Sequence, residues 1–248
     1  MRDYWLGLKF MFSYFTILPV HFKESDDLSK PSILASMLFW LPMGGLVLGT
    51  LSVLLYRILF PLEWVAGILA AVAYMMLYGF LHTEAIMDVA DALYAKHAGK
   101  DAFAVIKEST VGAMGVLWAV ALMLLKVSAI VFLLSYEAYG FFLSALIVSR
   151  LGLLLLFFTQ TFRSSFITTM QRGFEKSYFA GSLLLFGTIG TLLSGWHFFI
   201  LLLIGLGVAY FIATTLAKKL GFMNGDVLGT TLESTEIILM LLGGALWL

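Results

Sequence analysis

Residues 112–134 read GAMGVLWAVALMLLKVSAIVFLL, and Lys126 is the only charged side chain in this run. A helix needs roughly 20 apolar residues to cross a bilayer, so the segment is long enough to span a membrane. The chain as a whole is also apolar: 61% of its 248 residues are hydrophobic and 12% are charged. Soluble domains carry roughly 25% charged residues. The sequence therefore predicts an all-α, polytopic integral membrane protein.

Hydropathy predicts about seven transmembrane helices in a single domain covering residues 1–248. Their approximate bounds are 33–56, 62–82, 112–134, 138–160, 180–195, 197–217 and 234–248. The segment from Tyr4 to Val20 is apolar but contains Lys9. We expect it to form an amphipathic helix that lies in the interface or is partly inserted, with an eighth span as the alternative.

The predicted topology places most basic residues on one side of the membrane. They lie in the N-terminal segment and in loops at about 83–111, 161–179 and 218–233, whereas the opposite side carries only Arg57. Loops rich in Lys and Arg tend to face the cytoplasm. These polar loops, which also carry most of the acids, are therefore predicted to be cytoplasmic.

An acidic run stands out in this apolar chain: residues 82–91 read HTEAIMDVAD. On a helix, Glu84, Asp88 and Asp91 lie at i, i+4 and i+7 and share one face. Carboxylates that close repel one another unless a cation lies among them. Oxygen ligands without cysteine suit Mg²⁺, Mn²⁺ or Ca²⁺, and Mg²⁺ leaves room for substrate phosphates. The run therefore predicts a metal site for phosphoryl chemistry, with a solvated helix face as the alternative. His82 is a candidate ligand or base, or an interfacial residue.

Residues 107–115 read KESTVGAMG, with a lysine, two hydroxyls and two glycines just before a span. Backbone amides at a helix start, approached closely where glycine lacks a side chain, can hold an anion. Lys107 and Ser109 are therefore candidate phosphate-binding residues. The alternative is a helix start capped by Ser109 or Thr110.

Residues 221–236 read GFMNGDVLGTTLESTE, and Asn224 opens a turn with the glycine that follows it. If the chain is helical from Asp226 onward, then Asp226, Glu233 and Glu236 share a face. An unpaired acid such as Glu236 within a span is costly, so the acids predict a functional role. The alternative is a loop that caps the last helix.

Two basic residues lie within predicted spans. Arg150 is a candidate for binding a phosphate or a carboxylate, because an arginine inside a membrane is costly without a partner. A structural ion pair within the bundle is the alternative. Lys126 is expected to snorkel or to pair with an acid inside the bundle.

Five blocks of this chain, in the same order, resemble those of the cobalamin synthase family. They are residues 14–20 (YFTILPV), 82–92 (HTEAIMDVADA), 105–115 (VIKESTVGAMG), 148–150 (VSR) and 224–236 (NGDVLGTTLESTE). The chain also departs from the family pattern. Glu84 and Glu108 replace Asp, which keeps the charge, and Ile17 and Thr110 stand in place of Arg.

The resemblance implies a Mg²⁺-dependent phosphotransferase of the bacterial inner membrane, with its active site facing the cytoplasm. Such an enzyme transfers the cobinamide-phosphoryl group of adenosylcobinamide-GDP to α-ribazole or α-ribazole 5′-phosphate and releases GMP. The implied metal ligands are Glu84, Asp88, Asp91, Asp226, Glu233 and Glu236. The implied phosphate-binding residues are Lys107, Ser109, Arg150 and Asn224, and the implied catalytic residues are His82, Asp88, Asp91 and Lys107.

The expected partners are these two substrates, the lipid bilayer, and either further copies of the chain or other cobamide-assembly enzymes. No nucleic-acid partner is expected. An ion-coupled transporter that uses the intramembrane acids and Arg150 is the alternative function, although the inverted repeats common in transporters are not evident. A lipid CDP-alcohol phosphotransferase is disfavoured, because its Asp-Gly-x-x-Ala-Arg signature is missing.

Overall fold

A computed structural model describes residues 2–108 and 110–247, and these residues form helices and connecting loops without β-strands. This confirms the all-α prediction. The helices are α1 Arg2–Phe15, α2 Pro31–Phe39, α3 Leu41–Ile58, α4 Trp64–Leu77, α5 Leu81–His97, α6 Ala102–Val105, α7 Ala113–Ser135, α8 Tyr139–Thr159, α9 Ser165–Gly173, α10 Lys176–Ser194, α11 His197–Leu220 and α12 Gly225–Trp247.

In the described residues, six helices are long and apolar enough to cross a membrane, namely α3, α7, α8, α10, α11 and α12. Helices α4 and α5 make a seventh candidate only if the bent pair counts as one broken span, so the structure has six or seven candidate spans against the predicted seven. The last span begins at Gly225 and not at about residue 234. Hydropathy placed its start too late because Asp226, Glu233 and Glu236 lower the local average.

The bend between α4 and α5 positions the acidic run. The two helices meet at 79° across Tyr78 to Phe80, where Gly79 (φ 63°) and Phe80 (φ 56°) adopt left-handed conformations. The left-handed region is unfavourable for a side-chain-bearing residue by roughly 1–2 kcal/mol, so the surrounding packing must hold Phe80 in place. As a result α5 leaves the direction of α4 and carries its acids across one end of the bundle.

Helix α8 lies at the centre of the bundle, whereas α10 and α11 lie at its edge. The most apolar window of α8 is 89% buried, against 22% for both α10 and α11. Large apolar side chains such as Leu192, Leu203 and Phe211 are therefore exposed on the outer helices. Exposed apolar surface of this kind is compatible with a multi-pass protein whose outer helices contact lipid.

The N-terminal helix α1 has 14 residues, which is shorter than the roughly 20 needed to cross a bilayer. It packs on α2, where a side chain at Gly7 would collide with Ser36. The Trp40 indole donates a hydrogen bond to the Tyr4 carbonyl (3.0 Å). Helix α1 is thus held against the start of the first span, as expected for a helix at the interface.

The polar connections gather at one end of the bundle, which we call the site end. There α3, α7 and α12 begin, α8 and α11 end, and α5, α6 and α9 lie across the surface. The opposite connections are short, and an exposed ion pair between Arg57 at the end of α3 and Glu137 in the α7–α8 connection (3.9 Å) joins two of them.

Candidate functional site

The predicted acidic face is present on α5. Helix α5 runs from Leu81 to His97, with Glu84 exposed and with Asp88 and Asp91 half-buried. Its other face, which includes Ile86, is buried against α7 and α12. The spacing of the acids therefore gives one acidic face at the site end.

Asp226, at the start of α12, joins this face. Asp88 lies within electrostatic range of Asp226, Glu84 and Asp91, and Asp226 lies within range of Glu84. Asn224 holds Asp226 in position, because its side-chain amide donates to the Asp226 carboxylate (2.7 Å). The Asn224 side-chain oxygen also accepts the Val227 N–H (3.1 Å) and so caps α12. We call Glu84, Asp88, Asp91 and Asp226 the acid cluster.

Asp91 has a structural role as well. Its two carboxylate oxygens accept the N–H groups of Gly112 (2.6 Å) and Gly115 (2.7 Å), at the start of α7. A Cβ atom at either glycine would come within 2.5 Å of an Asp91 oxygen. The anion cradle predicted for this glycine-containing segment is therefore filled by a carboxylate of the chain itself.

The N-cap of α7 is Gly112 and not Ser109 or Thr110, the two residues expected as caps. The reason is that the capping carboxylate comes from Asp91, so no hydroxyl is needed at that position. Ser109, a predicted phosphate-binding residue, lies outside the described residues.

The other two acids of α12 lie in a buried charge network. The Lys126 ammonium contacts Glu233 (2.5 Å) and Glu236 (2.7 Å), and the Arg150 guanidinium also pairs with Glu236. The Tyr74 hydroxyl lies 3.2 Å from Glu236 and accepts a hydrogen bond from Arg150 (3.1 Å). All five residues are at most 4% exposed. Two cations thus balance two acids inside the bundle.

This network bears on several predicted roles. Pairing of Lys126 inside the bundle is confirmed. Arg150 makes the buried ion pair that was the alternative to phosphate binding. The roles of Arg150 as a phosphate ligand and of Glu233 and Glu236 as metal ligands stay predictions. Their present partners argue against them, because a divalent ion there would meet two positive charges.

The acid cluster is better suited to a divalent cation. Across residues 2–108 and 110–247, Glu84 and Asp88 have no ion-pair partner, so their charges are not balanced by the chain. Three histidine, aspartate or glutamate side chains close enough to hold a metal ion are not found in this part of the chain. The ligand set therefore stays a prediction. The donors present, which are carboxylates at a polar surface, are of the type that Mg²⁺ prefers.

An open polar cleft of about 480 Å³ lies beside the acid cluster. Lys107, Asn224 and Asp226 line it together with Arg163, which lies two residues before α9. The structure thus brings the predicted residues Lys107 and Asn224 together. It also adds Arg163, which was read from the sequence only as part of a basic loop. A signal was present: residues 163–165 read Arg-Ser-Ser at a helix start, an arrangement suited to anions.

A second cavity, of about 150 Å³, opens on the other side of Asp226. Its lining is mostly apolar and aromatic, and it includes His82 and Asp226. His82 is buried beside Tyr78 and Phe15, with ring centroids 5.4 and 6.1 Å apart. Beneath it, a small cavity of about 20 Å³ connects His82 to Arg150. His82 therefore lies between the acid cluster and the buried network.

Comparisons with known proteins identify the family of this chain. Residues 7–244 match the family described as cobalamin-5-phosphate synthase. A protein of Brevibacillus brevis named adenosylcobinamide-GDP ribazoletransferase is 32% identical, over 95% of this chain and 97% of its own length. A protein of the same name from Chlorobaculum tepidum is 31% identical over 94% of this chain and 92% of its own length. No solved structure matches. The chain belongs to the cobalamin-5-phosphate synthase family.

Proposed function

We propose that this protein is a Mg²⁺-dependent transferase that joins adenosylcobinamide-GDP to α-ribazole, or to its 5′-phosphate, and releases GMP. The observation that carries the proposal is the meeting of three features at Asp226: the acid cluster, the polar cleft and the apolar cavity. Relatives that share almost the whole length of the chain are named for this reaction.

The reaction is a displacement at phosphorus. A ribose hydroxyl of the acceptor attacks the phosphorus atom on the cobinamide side of the diphosphate, and a new P–O bond forms. The P–O bond to the bridging oxygen breaks, and GMP leaves with that oxygen. The proton of the hydroxyl must pass to a base. His82 and the acids of the cluster are the candidates, and His82 faces the cavity next to Asp226.

The acid cluster provides the ligands for the metal. Glu84, Asp88 and Asp226 would hold Mg²⁺ after their side chains close around it, and the ion would supply positive charge for the diphosphate. Asp91 keeps free lone pairs while it caps α7, because a carboxylate has about four acceptor sites. Asn224 fixes the direction of the Asp226 carboxylate.

The polar cleft provides the binding site for the diphosphate of the donor. The Lys107 ammonium and the Arg163 guanidinium flank the ring of Phe103, at 4.3 and 3.6 Å from its centroid. Both cations are therefore held at the wall of the cleft. Ser164 caps α9 by accepting the Ile167 N–H, so the positive end of that helix faces the same space.

We place the protein in the bacterial inner membrane with the site end in the cytoplasm. The site end carries the basic residues of all the long loops, such as Lys96, Lys107 and Arg163, and basic loops favour the cytoplasmic side. Both substrates would then reach the site from the cytoplasm. Further copies of the chain and other cobamide-assembly enzymes stay predicted partners.

The proposal is tested with the purified protein in lipid nanodiscs, supplied with adenosylcobinamide-GDP, α-ribazole and Mg²⁺. We expect GMP and adenosylcobalamin to appear in equal amounts. Arg163→Gln should raise the KM for the donor by about tenfold, because a charged hydrogen bond to phosphate contributes about 1.5–3 kcal/mol. The KM for the acceptor should not change.

The matched control is Arg172→Gln, an exposed arginine near the end of α9 that does not line the cleft. It should leave both KM values unchanged. Absence of GMP release by the unaltered protein would refute the proposed function. An unchanged donor KM in the Arg163 variant would refute the assignment of the cleft only.

A further inference from the structure

The apolar cavity has a lining that selects for a flat apolar group. Its walls come from α1, α2, α3, α5, α8, α9 and α12, and they include the aromatic rings of Phe15, Phe157 and Phe166. Leu153 and Met170 close its inner side, at 6% and 4% exposure. Cavities of about 150 Å³ lined by leucine, isoleucine and phenylalanine stay dry in other proteins and bind benzene. This cavity can therefore hold one benzene-sized ring out of water.

Apart from His82, the titratable lining of the cavity consists of Tyr14 and Asp226. Asp226 and Gly225 line both this cavity and the polar cleft, so the two spaces meet at the start of α12. Tyr14 lies at the same mouth, and the pKa of a tyrosine phenol, about 10, lies well above neutral pH. Tyr14 is therefore protonated at neutral pH and can donate a hydrogen bond. A molecule that fits must have an apolar ring at one end and polar groups where the spaces meet.

The substrates of the proposed reaction can be compared with this requirement. The guanine of the donor carries donors and acceptors around its edge, and an apolar cavity would leave these unpaired at high cost. The corrin ring is far larger than the cavity. α-Ribazole is a dimethylbenzimidazole joined to ribose, with an apolar methylated ring at one end and hydroxyls at the other. It alone has the distribution of polarity that the cavity requires.

We infer that the apolar cavity is the acceptor site and binds the dimethylbenzimidazole base of α-ribazole, with the ribose directed toward Asp226. This inference rests on the proposed function. The methylated ring lies between the aromatic side chains, and the unsubstituted ring nitrogen lies near the mouth, where Tyr14 can donate to it. The ribose hydroxyl then reaches the acid cluster, while the diphosphate of the donor occupies the cleft on the other side of Asp226.

The experiment reduces the volume of the cavity by substitution and measures which substrate shows a changed KM. The variant Leu153→Phe adds volume next to the expected position of the methyl groups. Acceptor KM values are measured for α-ribazole and for the α-riboside of benzimidazole, which lacks both methyl groups. We expect the KM for α-ribazole to rise by about tenfold, since a methyl-sized change in an apolar pocket alters discrimination by about 10- to 200-fold. The KM for the smaller acceptor should rise less than about threefold, and the donor KM should stay constant.

Leu155→Phe is the matched control, because Leu155 lies two residues away on α8 and does not line the cavity. It should change none of the three KM values. If Leu153→Phe does not fold, Leu81→Trp fills the cavity from its exposed rim, where Leu81 is 36% exposed. The same preference for the smaller acceptor is expected.

Unchanged acceptor KM values in the filled variants would overturn the inference, and so would an equal rise for both acceptors. A change confined to the lipid dependence of the rate would also overturn it and would indicate an acyl chain in the cavity. These outcomes differ from failure of the proposed function, in which the unaltered protein releases no GMP with either acceptor.

Discussion

Two acids of α12, Asp226 and Glu233, lie in opposite environments. Asp226 and Glu233 are seven residues apart, or about 10.5 Å along the helix, and they lie on similar faces. Asp226 is half-buried in the acid cluster, whose four members form no ion pair within residues 2–108 and 110–247. Glu233 is 2% exposed and contacts the Lys126 ammonium. Position along the axis, and not residue type, decides whether an acid is left available or neutralised.

The contrast separates the acids into two groups, although the sequence had suggested that all of them bind one metal site. Carboxylates without cations repel one another and gain free energy from a divalent ion, so the acid cluster is suited to catalysis. Carboxylates paired with lysine and arginine in a dry interior are neutralised, and loss of one partner would leave a costly buried charge. The buried network connects α4, α7, α8 and α12 through Tyr74, Lys126, Arg150 and Glu236. The network therefore connects the helices that position the acid cluster.

The largest effect is expected from breaking the buried network. Lys126→Met leaves Glu233 and Glu236 with only the Arg150 guanidinium. Removal of one partner from a buried ion pair costs about 3–5 kcal/mol, because the remaining charge stays desolvated. Thermal unfolding in detergent should show a clear loss of stability, with little protein left folded at high temperature.

The double variant Lys126→Met with Glu233→Gln tests the cause of that loss. It removes one charge of each sign, so more than half of the lost stability should return. The activity per folded molecule should match that of the unaltered protein. Recovery of stability together with loss of Mg²⁺-dependent turnover would place Glu233 in the metal site. The acid cluster and the buried network would then share one function.

A smaller but still large effect is expected in the acid cluster. Asp88→Asn keeps the size of the side chain and removes a charge next to Glu84 and Asp226. Turnover at fixed Mg²⁺ should fall at least about 100-fold, or about 2.7 kcal/mol in the activation free energy. Less repulsion among the remaining acids should leave the protein as stable as before or slightly more so.

GMP release and thermal unfolding are measured on the same preparation of Asp88→Asn. Glu175→Gln serves as the control, because Glu175 is an exposed acid at the start of α10 without a capping hydrogen bond. Turnover in Asp88→Asn close to that of the control would remove the acid cluster from the reaction.

The sequence predicted local features well. The spacing of Glu84, Asp88 and Asp91 predicted a shared helix face, and α5 has that face because the period of a helix is a local property. The number of spans followed from hydropathy for the same reason. The role of Arg163 was missed because its position beside Lys107 depends on how two loops meet in space.

Partners distant in the chain could not be predicted. Lys126 and Glu233 are separated by 107 positions, and their contact follows from the packing of α7 on α12. Neither spacing nor hydropathy contains that information. The same limit applies to Asp91, whose bonds to Gly112 and Gly115 cross from one helix to another. The sequence indicated an anion cradle at these glycines, but it did not indicate which anion fills it.

The smallest of the three expected effects concerns Asp91, which belongs to the acid cluster and also caps the start of α7. Asp91→Asn keeps one acceptor oxygen for the N–H groups of Gly112 and Gly115 but loses the charge that favours a helix start. We expect a loss of about 1 kcal/mol in stability, within the range measured for helix caps. If Asp91 also binds the metal, the concentration of Mg²⁺ needed for half-maximal turnover should rise, whereas a cap alone would leave it unchanged. Thermal unfolding and a Mg²⁺ titration of GMP release together assign this residue to one region or to both.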